Sequence, residues 1–150
     1  MTLALRHAAL GLALALACGL AAAQATPAGL WKTVDDSTKK EKSLVRIVES
    51  GGVYTGRVEK VIDPDSPKDA VCKDCTDDRK DKPVVGMTII RNMKASGDKD
   101  VFEGGDILDP NNGKVYSAKL KLVEGGKKLD VRGFIGTPLL GRTQTWQRVE

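Results

Sequence analysis

From residue 29 onward the sequence never sustains a helical period. It breaks into short apolar runs with period-two alternation, each closed by a turn signal. The runs cover 29–34, 43–49, 53–62, 84–93, 101–108, 115–123, 128–135 and 142–149. Between them lie Ser50-Gly51-Gly52, the run Asp109 to Gly113, and Glu124-Gly125-Gly126-Lys127. Nearly all the connections are of hairpin length, so successive strands should be antiparallel neighbours. Eight such strands in order predict an all-β fold, an antiparallel up-and-down barrel that leaves no sheet edge. A flattened sandwich is the second choice.

The alternation assigns an inner face. Tyr116, Ala118, Leu120 and Leu122 share one side, opposite Val115, Ser117, Lys119 and Lys121. Leu129, Val131, Gly133 and Ile135 oppose Asp130 and Arg132. Tyr54, Gly56, Val58 and Ile62 oppose Thr55, Arg57 and Glu59, with Lys60 as an exception to the pattern. Inner glycines mark corners or close packing, the favoured reading here, or leave room for a ligand.

The chain starts with Arg6 and His7, followed by an apolar run from Ala8 to Ala23 and the small-x-small triplet Ala23-Gln24-Ala25. That order predicts a signal peptide over 1–25, cleaved near Ala25, and a periplasmic mature domain over 26–150. At 16 residues the apolar run is short of a bilayer span, so no stable membrane insertion is expected after cleavage. Cys18 invites a lipoprotein reading, but Ala15 stands where such sites prefer Leu.

Several function classes recede on composition. Without Arg6 the chain keeps 23 Lys+Arg against 20 Asp+Glu, a net charge of +3. The two signs are interleaved, as in Lys73-Asp74 and Arg79-Lys80-Asp81-Lys82, which argues against a nucleic-acid stripe. His7 is the sole histidine and would leave with the leader. A mature chain without histidine lacks the commonest general base and the commonest zinc ligand, which weighs against an enzyme.

Cys72 and Cys75 form a Cys-x-x-Cys in a long charged loop, 63–82. One such pair supplies only half of a zinc site. Asp69, Asp74, Asp77 and Asp78 surround it, and nearby negative charge raises a thiol pKa. In an oxidising compartment a structural disulfide stapling an exposed loop is favoured over redox or metal chemistry. The Asp109-Pro110-Asn111-Asn112-Gly113 stretch reads as a hairpin turn: as a calcium loop it has its glycine one place early and Leu120 where the acid belongs. The glycines of Gly104 to Gly113 lack nucleotide-loop spacing. No metal and no cofactor are expected.

Two resemblances complete the reading. Gly29-Leu30-Trp31 on the first strand, with Arg148 on the last, resembles the lipocalin and calycin pattern. That likeness implies that Trp31 and Arg148 close one barrel end, a structural role. The blocks GLWKTVDD, SLVRI, YTGRV, CKDC, KPVVGM, GGDILDPNNGKVY and LDVRGFIGTPLLGRTQTWQR, which together span Gly29 to Arg148, are similar to the domain of unknown function 2147 family of exported bacterial proteins. That family implies no activity, ligand or catalytic residue.

The leading expectation is a non-catalytic periplasmic barrel that binds a small ligand. Tyr54, Asp106, Tyr116, Arg132 and Arg142 are its candidate pocket for an anionic or amphipathic molecule, while surface ion pairing and core tyrosines are the favoured reading of these five residues. The alternative is an envelope structural or protein-interaction module that uses the 63–82 loop. The oligomeric state is left open.

Overall fold

A computed structural model describes residues 25–150. The predicted leader, with Cys18 and His7, lies outside these residues except for Ala25. Eight strands follow in order: β1 (Gly29–Val34), β2 (Glu41–Ser50), β3 (Val53–Val61), β4 (Thr88–Ala95), β5 (Val101–Asp109), β6 (Lys114–Val123), β7 (Lys128–Phe134) and β8 (Gly141–Arg148). Each pairs antiparallel with the next, and β8 returns to β1, closing the barrel. The only other regular element described is a 3-10 turn, Glu124–Gly126. Among the described residues no helix is long and apolar enough to cross a membrane.

All eight predicted strands are present, and three local departures have physical causes. The fourth strand starts at Thr88, not at residue 84, because Val84 to Met87 form a tight turn, with the Met87 N–H on the Val84 carbonyl and Gly86 at φ +90°. The Lys60 exception comes from a bulge. Val45 lies opposite Val58 and Leu44 opposite Lys60, so Glu59 is an extra residue that reverses the alternation. Val61 then takes the buried place expected of Ile62. Ile135 was expected inside, but β7 ends at Phe134 and Ile135 is 64% exposed in the following loop.

The interior is filled by side chains. Trp31, Val45, Ile47, Ile90, Met93, Leu120, Leu129 and Trp146 are each at most 2% exposed and belong to one cluster. The inner glycines admit neighbours rather than leave a chamber. A Cβ on Gly56 would lie 3.0 Å from the Ile90 Cβ, and one on Gly105 would strike the Arg91 carbonyl at 2.0 Å. Packing of this density leaves little room for a guest.

The 63–82 loop departs most from expectation. Ile89 and Leu108 alternate with the inner residues Ile90 and Ile107, so they point outward, yet they are 6% and 2% exposed. The loop covers that outer face. The Arg79 guanidinium donates to the Thr88 carbonyl at 2.9 Å, and Arg91 of β4 pairs with Asp78 of the loop at 3.1 Å. The loop also seats on the β5–β6 turn, where a Cβ on Gly113 would fall 2.1 Å from the Asp74 carbonyl oxygen. Cys72 and Cys75 are disulfide-bonded and 0% and 1% exposed, inside the core cluster. The bridge is therefore buried beneath a folded-back loop, not a staple on an exposed one.

Candidate functional site

The two barrel ends are built from different chemistry. At one end Trp31 of β1 lies under Arg148 of β8, the guanidinium carbon 4.3 Å from the ring centroid. The indole N–H donates to the Pro27 carbonyl at 2.8 Å. Arg148 donates to the carbonyls of Gly126, Ala28 and Thr26 at 2.6, 2.8 and 2.7 Å. Burial holds its pKa below the ordinary arginine value. These bonds satisfy main-chain acceptors that would otherwise be stranded, and they seal this end.

The other end gathers the β1–β2, β3–β4, β5–β6 and β7–β8 connections. Its inner positions are smaller, more polar and only partly covered. Ile107 of β5 faces Tyr116 of β6, and both are half-buried. Gly133 of β7 sits beside them, with a Cβ position 3.4 Å from the Tyr116 Cβ. Next in register come Arg142 and Gln144 of β8. Gln144 accepts the Trp146 indole N–H at 3.1 Å. The Tyr116 hydroxyl accepts from the Asn112 amide at 3.2 Å. Across the opening, the Thr33 and Ser43 hydroxyls bond at 2.9 Å. We call this end, apolar toward the core and polar toward the strand ends, the cup.

Of the five residues predicted for a pocket, Tyr116 and Arg142 come to this cup. Tyr54 lies in the core, edge-on to Phe102 with ring centroids 5.0 Å apart. Asp106 and Arg132 are on the outer face, each out of phase with its inward neighbours. Asp106 lies across from Arg91 and Ser117, and its Oδ1 is buried without a hydrogen-bond partner. Arg132 donates to the Pro138 carbonyl at 2.7 Å and to the Thr143 hydroxyl at 2.8 Å. Successive residues of a strand point to opposite faces, so Asp106 and Arg132, one place away from inward neighbours, reach the outside.

Sequence reasoning missed Asp36, Thr33 and Gln144. Asp36 clamps Arg142 through both carboxylate oxygens, with the Nε bond at 3.1 Å. The guanidinium lowers the Asp36 pKa, and the carboxylate raises that of Arg142. Gln144 was legible in principle, two places before Trp146 and so on the same face. Asp36 carried no signal, because the pair spans more than a hundred residues.

Other groups are spent on structure. Asp63 is buried and held by Lys42, the Asp65 N–H and Ser66, which lower its pKa to about 2. Asp77 takes a forked bond from the 5%-exposed Arg79, and its pKa also falls to about 2. Two surface clefts, of about 290 and 310 Å³, lie along Asp78–Arg91 and Lys40–Asp65, both outside the barrel. Among the described residues no three His, Cys, Asp or Glu side chains converge as a metal site would need. Among the described residues the cup offers hydrogen bonds and the Arg142 cation.

Residues 29–148 match a family described as an uncharacterized protein conserved in bacteria, DUF2147. No curated protein matches the sequence. Among solved structures the barrel is similar to protein HP1028 from the human pathogen Helicobacter pylori, described as belonging to the lipocalin family. The TM-score is 0.71, with 19% sequence identity over 84% of each chain. At that identity the likeness concerns the fold.

Proposed function

Because the chain belongs to the bacterial DUF2147 family and carries a lipocalin-like barrel, we propose that it is a non-catalytic exported protein that binds a small amphipathic anion at its open end. The carrying observation is the contrast between the sealed end and the cup of Ile107, Tyr116, Gly133, Arg142 and Gln144. A packed interior argues against a central chamber, so the ligand would sit at the mouth, its anionic group on Arg142 and its apolar part on Tyr116 and Ile107. The buried disulfide supports export, since such bridges persist in oxidising compartments. The 63–82 loop is a weaker candidate for contact, because its polar groups are engaged with the barrel and with one another.

Two measurements test this reading. Native mass spectrometry of protein purified from periplasm should show a co-purifying mass. Titration with anilinonaphthalene sulfonate, an amphipathic anion, should give saturable fluorescence that weakens about tenfold in Tyr116→Ala. A bare mass together with non-saturable fluorescence would sink it.

A further inference from the structure

The β1–β2 turn, residues 35–40, is closed by Asp35. Its N–H donates to the Lys40 carbonyl, and its carbonyl accepts from the Lys39 N–H, each at 2.9 Å. Its Oδ1 accepts the Ser37 and Thr38 N–H groups at 3.0 and 2.7 Å and their hydroxyls at 2.8 and 2.9 Å. None of these bonds uses the next residue, Asp36. The Asp36 carboxylate reaches out of the turn to Arg142 of β8, accepting from Nε at 3.1 Å and from Nη2.

Arg142 lies opposite Gly133 and so belongs to the inner set at the mouth. A guanidinium has two forks for an acid, one from Nε with an Nη and one from the two Nη groups. Asp36 fills the first. An anion at the second would share one cation with the Asp36 carboxylate, and like charges side by side repel. The Asp36, Asp35 and Asp109 carboxylates all act on Arg142, so the rim cation is already heavily countered. Yet the pair adds little hold of its own. The Asp36 side chain is 25% exposed and that of Arg142 71%, and exposed pairs are weak. An incoming anion therefore breaks it at small cost, while Asp35 keeps the turn in shape.

We propose that Asp36 is a built-in competitor at the mouth. An anion that binds Arg142 must displace the Asp36 carboxylate or crowd it, so Asp36 sets how tightly the mouth holds its ligand. This inference rests on the reading of the mouth as an anion site. The vacated fork selects a headgroup with two acceptor oxygens on one centre, as in a carboxylate, sulfonate or phosphate. The closed turn keeps Asp36 beside Arg142, ready to return when the ligand leaves.

The test titrates the exported chain with anilinonaphthalene sulfonate, whose sulfonate stays ionised. Asp36→Asn should bind it about threefold tighter than wild type, as removal of a weak, exposed pair implies. Asp65→Asn removes an equal charge from an exposed pair with Lys40 and should leave the affinity unchanged. In the Arg142→Ala background Asp36→Asn should add nothing, because the competitor acts through that side chain. In wild type, with no substitution at all, the Arg142 Nε–H resonance should shift as the probe saturates. Equal or weaker binding by Asp36→Asn overturns the proposal. So does a gain that survives in Arg142→Ala, which would reflect overall charge, or an Nε–H resonance that stays in place at saturation. Saturable binding with any of these results leaves the mouth reading standing. No saturable binding by wild type or by Asp36→Asn removes both.

Discussion

Two arginines of β8, Arg142 and Arg148, stand at opposite ends of one strand and do opposite work. Arg148 is half-buried, stacked on Trp31, with three carbonyls around it. Arg142 hangs in solvent with its side chain 71% exposed, and its partner is a carboxylate. Burial depresses the pKa of the first, and the ion pair raises that of the second. The ion pair carries two full charges, but water screens it, while the carbonyl contacts of the half-buried Arg148 are screened less. The comparison teaches that the closed end is held by contacts partly withdrawn from water, and the open end by a pair that water screens.

The comparison breaks first at Trp31. Trp31→Ala should cost about 3–5 kcal/mol in urea unfolding, through a cavity beneath Arg148. Arg148→Lys should also destabilise, because an ammonium cannot reach all three carbonyls or stack as a planar guanidinium does. If both variants unfold with the wild-type midpoint, the closed end is not what holds the barrel.

Next comes the loop side. Cys72→Ser with Cys75→Ser should cost about 2 kcal/mol by loop entropy alone, and more because both sites are buried. Urea unfolding with and without reductant measures it, and protease sensitivity of 63–82 should rise with the loss. An unchanged midpoint would mean that the loop stays seated without its bridge.

Acid sharpens the contrast further. Asp63 and Asp77 have folded pKa values of about 2, lowered mainly by Lys42 and Arg79. A depressed carboxylate stabilises the fold above its unfolded pKa of about 4, and that stability is lost as pH falls toward the folded value. Unfolding midpoints should therefore drop between about pH 4 and pH 2. Asp63→Asn should flatten that drop while lowering stability at neutral pH. An equally steep drop in the variant would assign the acid response elsewhere.

The smallest effect belongs to Arg142→Ala. An exposed pair is worth at most about 1 kcal/mol, so thermal stability should barely move and should become insensitive to salt at this site. A loss comparable to that of Trp31→Ala would erase the distinction between the two ends.

Much of this architecture was legible beforehand. Period-two alternation and glycine turns located every strand, because both signals are local. The Trp31–Arg148 pair was implied by the resemblance to the lipocalin and calycin pattern, with Gly29-Leu30-Trp31 on the first strand and Arg148 on the last. The bulge at Glu59 was visible only as a misfit at Lys60, since an added residue shows itself through its partner strand. The burial of Cys72 and Cys75 was not legible. Acidic neighbours suggested a solvated loop, but Arg79 and Arg91 take up Asp77 and Asp78 and let the loop lie flat on β4 and β5.

The sequence by itself determined the number of strands, their order and antiparallel sense, and most of the residues that face inward, since each follows from near-neighbour periodicity and turn chemistry. Only the tertiary structure decided where the barrel is tight and where it is open. Glycines at inner positions could have left a chamber; Ile90 and Met93 fill the space instead. Arg142 could have lined a pocket alone; Asp36, far away in the chain, holds it at the rim. Each outcome depends on which distant groups meet when the sheet closes, and no local pattern carries that information.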